Sequence, residues 1–229
     1  MISMAETMED NRLVKMTAGL IENWPNTYTF TKAVAEELIR TESAGLPICI
    51  VKPAIVISTN NEPLPGWLDM SCVFGATGLS LGLALGVLHT GLSNPDITIG
   101  LVPCDYVNNA IIAAGKETAT NQTKGGNETR IYTVSSTERN PLTLRDSFEF
   151  GRNKGLEMPT PKAVYYNYGQ ETSIKMVFMI LSMFLHVIPA YLADFVCLLL
   201  GKERRFAKMA KKVYNMCTSM SFFMMNEWK

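Results

Sequence analysis

Residues 176–200 set the narrowest limits on how this chain folds: they form a run of 25 residues whose only charge is Asp194, interrupted by His186 and Pro189. That length reaches a membrane span. Pro189 cannot donate a backbone hydrogen bond and is expected to split the run into two pieces of about twelve residues. Each piece is too short to cross a bilayer alone, and Asp194 is costly at mid-bilayer. Three readings stand side by side: helices embedded in or lying on a membrane interface, two buried helices forming a hairpin or a pocket wall, and a true span. Residues 201–212 follow with six basic side chains against one acid, which suits an anionic, cytosol-facing membrane surface. The same segment also suits a solvated helix with Phe206, Met209 and Val213 packed inward. The methionine-rich residues 216–225 read as an adaptable apolar surface that a further domain normally covers.

Near the other end, Tyr28 and Lys32 stand four residues apart in Trp24-Pro-Asn-Thr-Tyr28-Thr-Phe-Thr-Lys32-Ala-Val-Ala-Glu36-Glu37, on one face of a helix. Pro25 suits its first turn, and Gly45 with Pro47 ends it. A phenol titrates near 10; a fixed cation beside it favours phenolate, and a fall of about 3 units represents roughly 4 kcal/mol. Tyr28 then exchanges a proton with a carbonyl oxygen near neutral pH. The spacing alone equally fits an exposed helix pair. The apolar run at residues 48–57 reads as one buried parallel strand.

Downstream, residues 96–103 read as strand, Asp105 as the cap of a helix over 106–114, residues 130–135 as an edge strand, and 143–154 as a helix. Gly75, Gly78 and Gly82 imitate a nucleotide loop, with Asp96 placed like a ribose-binding acid. The poor strand before them and their position after Tyr28 favour close packing or a substrate wall. Asn121-Gln-Thr123 and Asn127-Glu-Thr129 match glycosylation acceptors within a polar loop over 118–129. Residues 6–12 are too charged for the apolar core of a signal peptide.

Composition limits the function classes. Net charge is zero, which offers no global attraction to nucleic acid. Five cysteines form no Cys-x-x-Cys, and the two histidines are far apart, a pattern that suggests neither metal nor a complete disulfide framework. The cysteines instead suit a reduced, cytosol-facing protein.

The segment around Tyr28 and Lys32, together with Lys52-Pro-Ala-Ile-Val-Ile-Ser58-Thr59, Glu62-Pro-Leu-Pro-Gly66-Trp67 and Val102-Pro-Cys-Asp105-Tyr-Val-Asn108, resembles the alcohol-forming fatty acyl-CoA reductases of the extended short-chain dehydrogenase/reductase superfamily. The resemblance covers nearly the whole chain. It implies an α/β fold: a partial Rossmann-like, NAD(P)-binding part over residues 1–160, then a mostly helical substrate-side and membrane-associating extension over 161–229. It implies NADPH as cofactor and a long-chain fatty acyl-CoA as substrate, reduced through the aldehyde to the alcohol.

Under that resemblance Tyr28 and Lys32 are the catalytic pair and both belong to the cofactor site, Lys32 holding the ribose hydroxyls, and Pro53 and Ile55 meet the nicotinamide amide. It places the protein on a cytosol-facing peroxisomal or endoplasmic reticulum membrane, and leaves oligomerisation open. In the family a βαβ unit with a glycine-rich turn precedes the tyrosine. The 27 residues before Tyr28 are too few and too polar for one, so the chain is expected to be a piece of a longer protein. Where the family tends to carry a Trp, Leu144-Arg145 stands. The alternative is a noncatalytic, membrane-associating remnant or pairing partner of a reductase.

Overall fold

The computed structural model describes residues 6–21, 24–122, 129–158, 160–166 and 168–227. They form a mixed α/β structure with two compact units, Met1–Lys52 with Ile111–Tyr132, and Pro53–Ala110 with Thr133–Lys229.

The first unit opens with α1 (Asp10–Ile21) and α2 (Thr27–Glu42). The α2 start is capped by Asn26, whose side chain accepts the Thr29 N–H at 2.9 Å, a standard use of Asn at a helix entrance. Pro25 therefore precedes the cap and is not in the first turn. Ser43 closes the helix and Gly45 turns the chain at φ +82°. Strand β1 (Cys49–Pro53) pairs with β6 (Arg130–Val134).

The expected single buried strand over 48–57 is in fact two half-exposed ones, β1 and β2 (Ile55–Ile57). Proline supplies no N–H at position 53, so the ladder changes partner there. The Ala54 N–H donates to Val134 and the Ile55 N–H to Gly100. From Ile55 onward the strand runs parallel to β5 (Leu101–Pro103), with Ile55 opposite Leu101 and Ile57 opposite Pro103.

In the second unit, β3 (Thr90–Leu92) runs parallel to β8 (Gln170–Thr172), and β4 (Thr98–Ile99) antiparallel to β7 (Leu142–Thr143). The described strands thus form four two-stranded pairs. Helix α3 (Gly75–Ala84) contains the glycine cluster, which faces side chains: a Cβ at Gly82 would meet Leu88 at 3.4 Å, and one at Gly78 would meet Met216 at 3.9 Å. Helix α4 (Cys104–Gln122) outruns the expected 106–114, taking in part of the expected loop; residues 123–128 lie outside the described residues, and with them most of the two glycosylation matches. Thr143 and Asp146 form a capping box for α5 (Leu144–Glu157). Leu144 is buried, and Arg145 pairs with Asp96 at 2.6 Å.

The core gathers Leu79, Leu88, Phe178 and Cys217, with Tyr214, Met216, Met220 and Met224 packed against them. The methionine-rich end of α8 (Phe206–Met225) therefore covers the core itself. Ala210 and Cys217 form its buried face and Val213 packs against the core as expected, while Phe206 and Met209 are exposed, unlike the expected inward packing.

Residues 175–199 make one continuous helical stretch, α6 (Lys175–Ser182), a π-helical turn (Met183–Val187) and α7 (Ile188–Leu199). Pro189 does not split it. The widened turn lets the Ile188 N–H reach the Met183 carbonyl just before the proline, which absorbs the missing donor. Inside that turn His186 is buried, and its Nε2 accepts the His89 N–H at 2.8 Å, which requires a neutral ring.

Burial, and then the neighbouring His89, pulls His186 from 6.5 down to about 4. The unfolded chain takes up this proton near 6.5 and the folded one only near 4, so stability is full above 6.5 and falls as pH drops through that window. Asp105 and Asp194, both lowered from 3.8, act below it, and Glu171, raised by burial, works in the opposite sense. Thermal melts at pH 7 and pH 5 are expected to show this loss, and His186→Gln to shrink it. An equal drop in the variant would assign the effect elsewhere.

Candidate active site

The order cap, helix, turn and strand brings Tyr28 and Lys32 together. Lys32 Nζ lies 5.9 Å from the centroid of the Tyr28 ring, one turn away on the same face of α2, within reach of a cation–π attraction. Both side chains are exposed, Tyr28 at 59%, so a ligand has access to the phenol and the ammonium. Lys32 makes no ion pair among the described residues. Glu36, the natural partner one turn on, is taken by Lys52 at 2.7 Å. That bridge ties the end of β1 to α2 and leaves the Lys32 charge for Tyr28 and for whatever docks there. Its spacing of 16 residues carries no helical or strand period, so the pairing has no signature in the sequence. On the other side of the helix entrance Trp24 packs edge-on against Phe30, with centroids 6.3 Å apart.

Pro53 and Ile55 flank the point where the chain leaves β6 for β5. Pro53 has no N–H, and that of Ile55 is spent on Gly100 at 3.0 Å. Either residue meets an amide group only through its carbonyl. The donor set at Tyr28 and Lys32, a phenol and an unpaired ammonium, fits the hydroxyls of a nucleotide ribose. Among the described residues no cluster of three His, Cys, Asp or Glu side chains is placed to hold a metal ion.

A second feature escaped the sequence reading. Asp105 does not cap its own helix. Its carboxylate accepts the N–H groups of Asn60, Asn61 and Glu62 at 3.0, 2.9 and 3.3 Å. Burial alone would raise this carboxyl; the loop donors outweigh it and bring it from 3.8 to about 2. Thr59 closes the same loop, its hydroxyl donating to Leu64 at 2.6 Å and its N–H to Trp67 at 3.1 Å. Gly66 supplies the turn at φ +77°. The Pro-Leu-Pro-Gly-Trp67 segment is therefore a fixed loop that presents Leu64 and Trp67 to solvent. The core cavity beside Leu79, Leu83 and Met224 measures about 20 Å³, room for about one water and not for an acyl chain.

A family model for an NAD-binding domain, described as male sterility protein, matches residues 2–111, and a second model of that description matches residues 185–229. Fatty acyl-CoA reductase wat of Drosophila melanogaster is 30% identical over 226 residues, 99% of this chain and 43% of that protein. Fatty acyl-CoA reductase 2 of Bos taurus is 28% identical over 235 residues, and that of Homo sapiens 27% over 228, each covering 100% of this chain and 43% of the relative. The chain thus spans under half the length of the curated relatives it matches. It carries both male sterility protein domain models and is similar along its whole length to fatty acyl-CoA reductases.

Proposed function

We propose that this chain carries the proton-transfer pair of an NADPH-dependent, alcohol-forming reduction of long-chain fatty acyl-CoA, within a Rossmann-like reductase part over residues 1–160. The observation that supports this most is the Lys32 ammonium beside an exposed Tyr28, with no ion pair to Lys32 among the described residues. Two hydride equivalents and two protons convert a thioester to an alcohol and a free thiol. The nicotinamide supplies hydride when bound. Tyr28 donates its hydroxyl proton to the oxygen of the carbonyl being reduced. Lys32 stabilises the phenolate left behind, holds the ribose hydroxyls and so fixes the distance between the reacting groups. Pro53 and Ile55 present carbonyls to the nicotinamide amide. Residues 161–229 form the extension through which the chain associates with a cytosol-facing peroxisomal or endoplasmic reticulum membrane.

The test is turnover of a long-chain acyl-CoA with NADPH, by the 229-residue chain alone and joined to any flanking sequence encoded with it. Fatty alcohol with two NADPH consumed for each molecule formed is the expected result. No reduction in either form would favour the other reading, a noncatalytic membrane-associating partner, for which the exposed apolar helix speaks independently of any chemistry.

A further inference from the structure

The stretch α6–π–α7 is long and apolar enough to cross a membrane by length and composition, yet its faces are inverted. Toward the protein it turns Phe178, Ser182, His186 and Asp194, all buried; toward solvent it turns Met179, Met183, Phe184, Leu192, Phe195 and Leu199. A helix with polar groups inside and apolar ones outside has lipid or another apolar body as its natural neighbour. Hydrogen bonds at two side chains, one at His186 and three at Asp194, fasten its inner face to the rest of the unit. His186 accepts the His89 N–H. Asp194 accepts the N–H groups of Arg205, Phe206 and Ala207, each at 2.9 Å, which caps α8 from the preceding helix.

Crossing a bilayer would require breaking these bonds and placing the Asp194 carboxylate in hydrocarbon. Lying flat breaks none. Where α7 ends and α8 begins, an open groove of about 580 Å³ has Tyr191, Phe195 and Leu198 on one wall and Arg204 and Lys208 on the other. Two acids also line the groove: Glu203 is held by Arg205, and Asp194 by the N–H groups of Arg205, Phe206 and Ala207. Arg204 and Lys208 form no ion pair among the described residues, and Lys211 and Lys212 extend the same charge along α8, all exposed.

We propose that this surface docks on one leaflet of an anionic bilayer. The outer face of α6–π–α7 sits among the upper acyl chains, parallel to the membrane plane, and the Arg204–Lys208 groove takes a phospholipid phosphate. Apolar area supplies the depth and the cations supply the preference for anionic lipid. The proposal rests on the membrane association argued above and specifies its geometry and its lipid.

The experiment is flotation of the 229-residue chain with vesicles of phosphatidylcholine alone and of phosphatidylcholine with phosphatidylserine, followed by alkaline carbonate extraction. Expected is binding to the anionic vesicles, weakened by salt and released by carbonate. Arg204→Glu with Lys208→Glu lowers that binding at least about tenfold; Phe184→Ser with Phe195→Ser lowers it on its own, and Tyr28→Phe leaves it unchanged. Equal binding to both vesicle types, untouched by the charge reversal, would overturn the phosphate groove while the membrane association stood. Retention after carbonate would overturn the in-plane placement. A chain that ignores both vesicles and sediments as a dimer through Phe195 would assign the face to a second copy and sink both readings.

Discussion

Tyr28→Phe is expected to lower fatty alcohol formation about 10²–10⁴-fold, the usual contribution of a positioned general acid. The substitution removes one oxygen from an exposed ring on a helix with no buried residue, so the melting temperature stays near that of the parent. The loss falls on kcat because the missing proton is needed only as charge develops on the substrate oxygen. Lys32→Met is expected to lose less rate but to raise the KM for NADPH, since the ammonium both steadies the phenolate and binds the ribose. A Tyr28→Phe protein with full turnover would remove the phenol from the chemistry altogether, whatever the fate of the family assignment.

The largest effect on stability is expected at Phe178. Its side chain is only 2% exposed and stacks on Tyr214 at 5.7 Å, within the cluster of Leu79, Leu88 and Cys217. Phe178→Ala leaves a cavity between three helices and costs about 3–5 kcal/mol, which for a chain of this size lowers the melting temperature by roughly 6–20 °C. Met176→Ala, two residues away on the outer face, is expected to change it by under about 2 °C. Thermal unfolding followed by circular dichroism separates the two. Similar shifts at both positions would mean that the stretch does not have one inner and one outer face, and the membrane-docking geometry would fall with it.

Much of the candidate site was legible because it is local. The Tyr28–Lys32 pairing follows from helical spacing and the helix end from Gly45, while the start lies at the Asn26 cap, after Pro25. The extents of β6 and α5 follow similarly from alternation and capping residues within a few positions, whereas the expected single strand over 96–103 is two short ones, β4 and β5, broken at Gly100 and paired with different partners. Two expectations failed for the opposite reason. One unbroken strand over 48–57 ignored that Pro53 forces a change of partner, and the partners, Val134 and Gly100, lie far along the chain. Asp105 looked like a helix cap because Asp before a helical run usually is one. Its actual donors stand 43 to 45 residues earlier, a pairing with no periodic signature.

The sequence by itself determined the helices around Tyr28 and after Thr143, where the phenol and ammonium meet, and that residues 176–200 are too apolar for an ordinary surface helix. These follow from spacing and composition, which act between near neighbours. Only the tertiary structure decided which way that helix faces. Asp194 and His186 read from sequence as interruptions; in the fold they are its anchors, because their partners at Arg205, Phe206, Ala207 and His89 come within hydrogen-bond reach only after the chain has closed. A buried polar group must be satisfied, so those distant donors draw the polar side inward and leave the apolar side out.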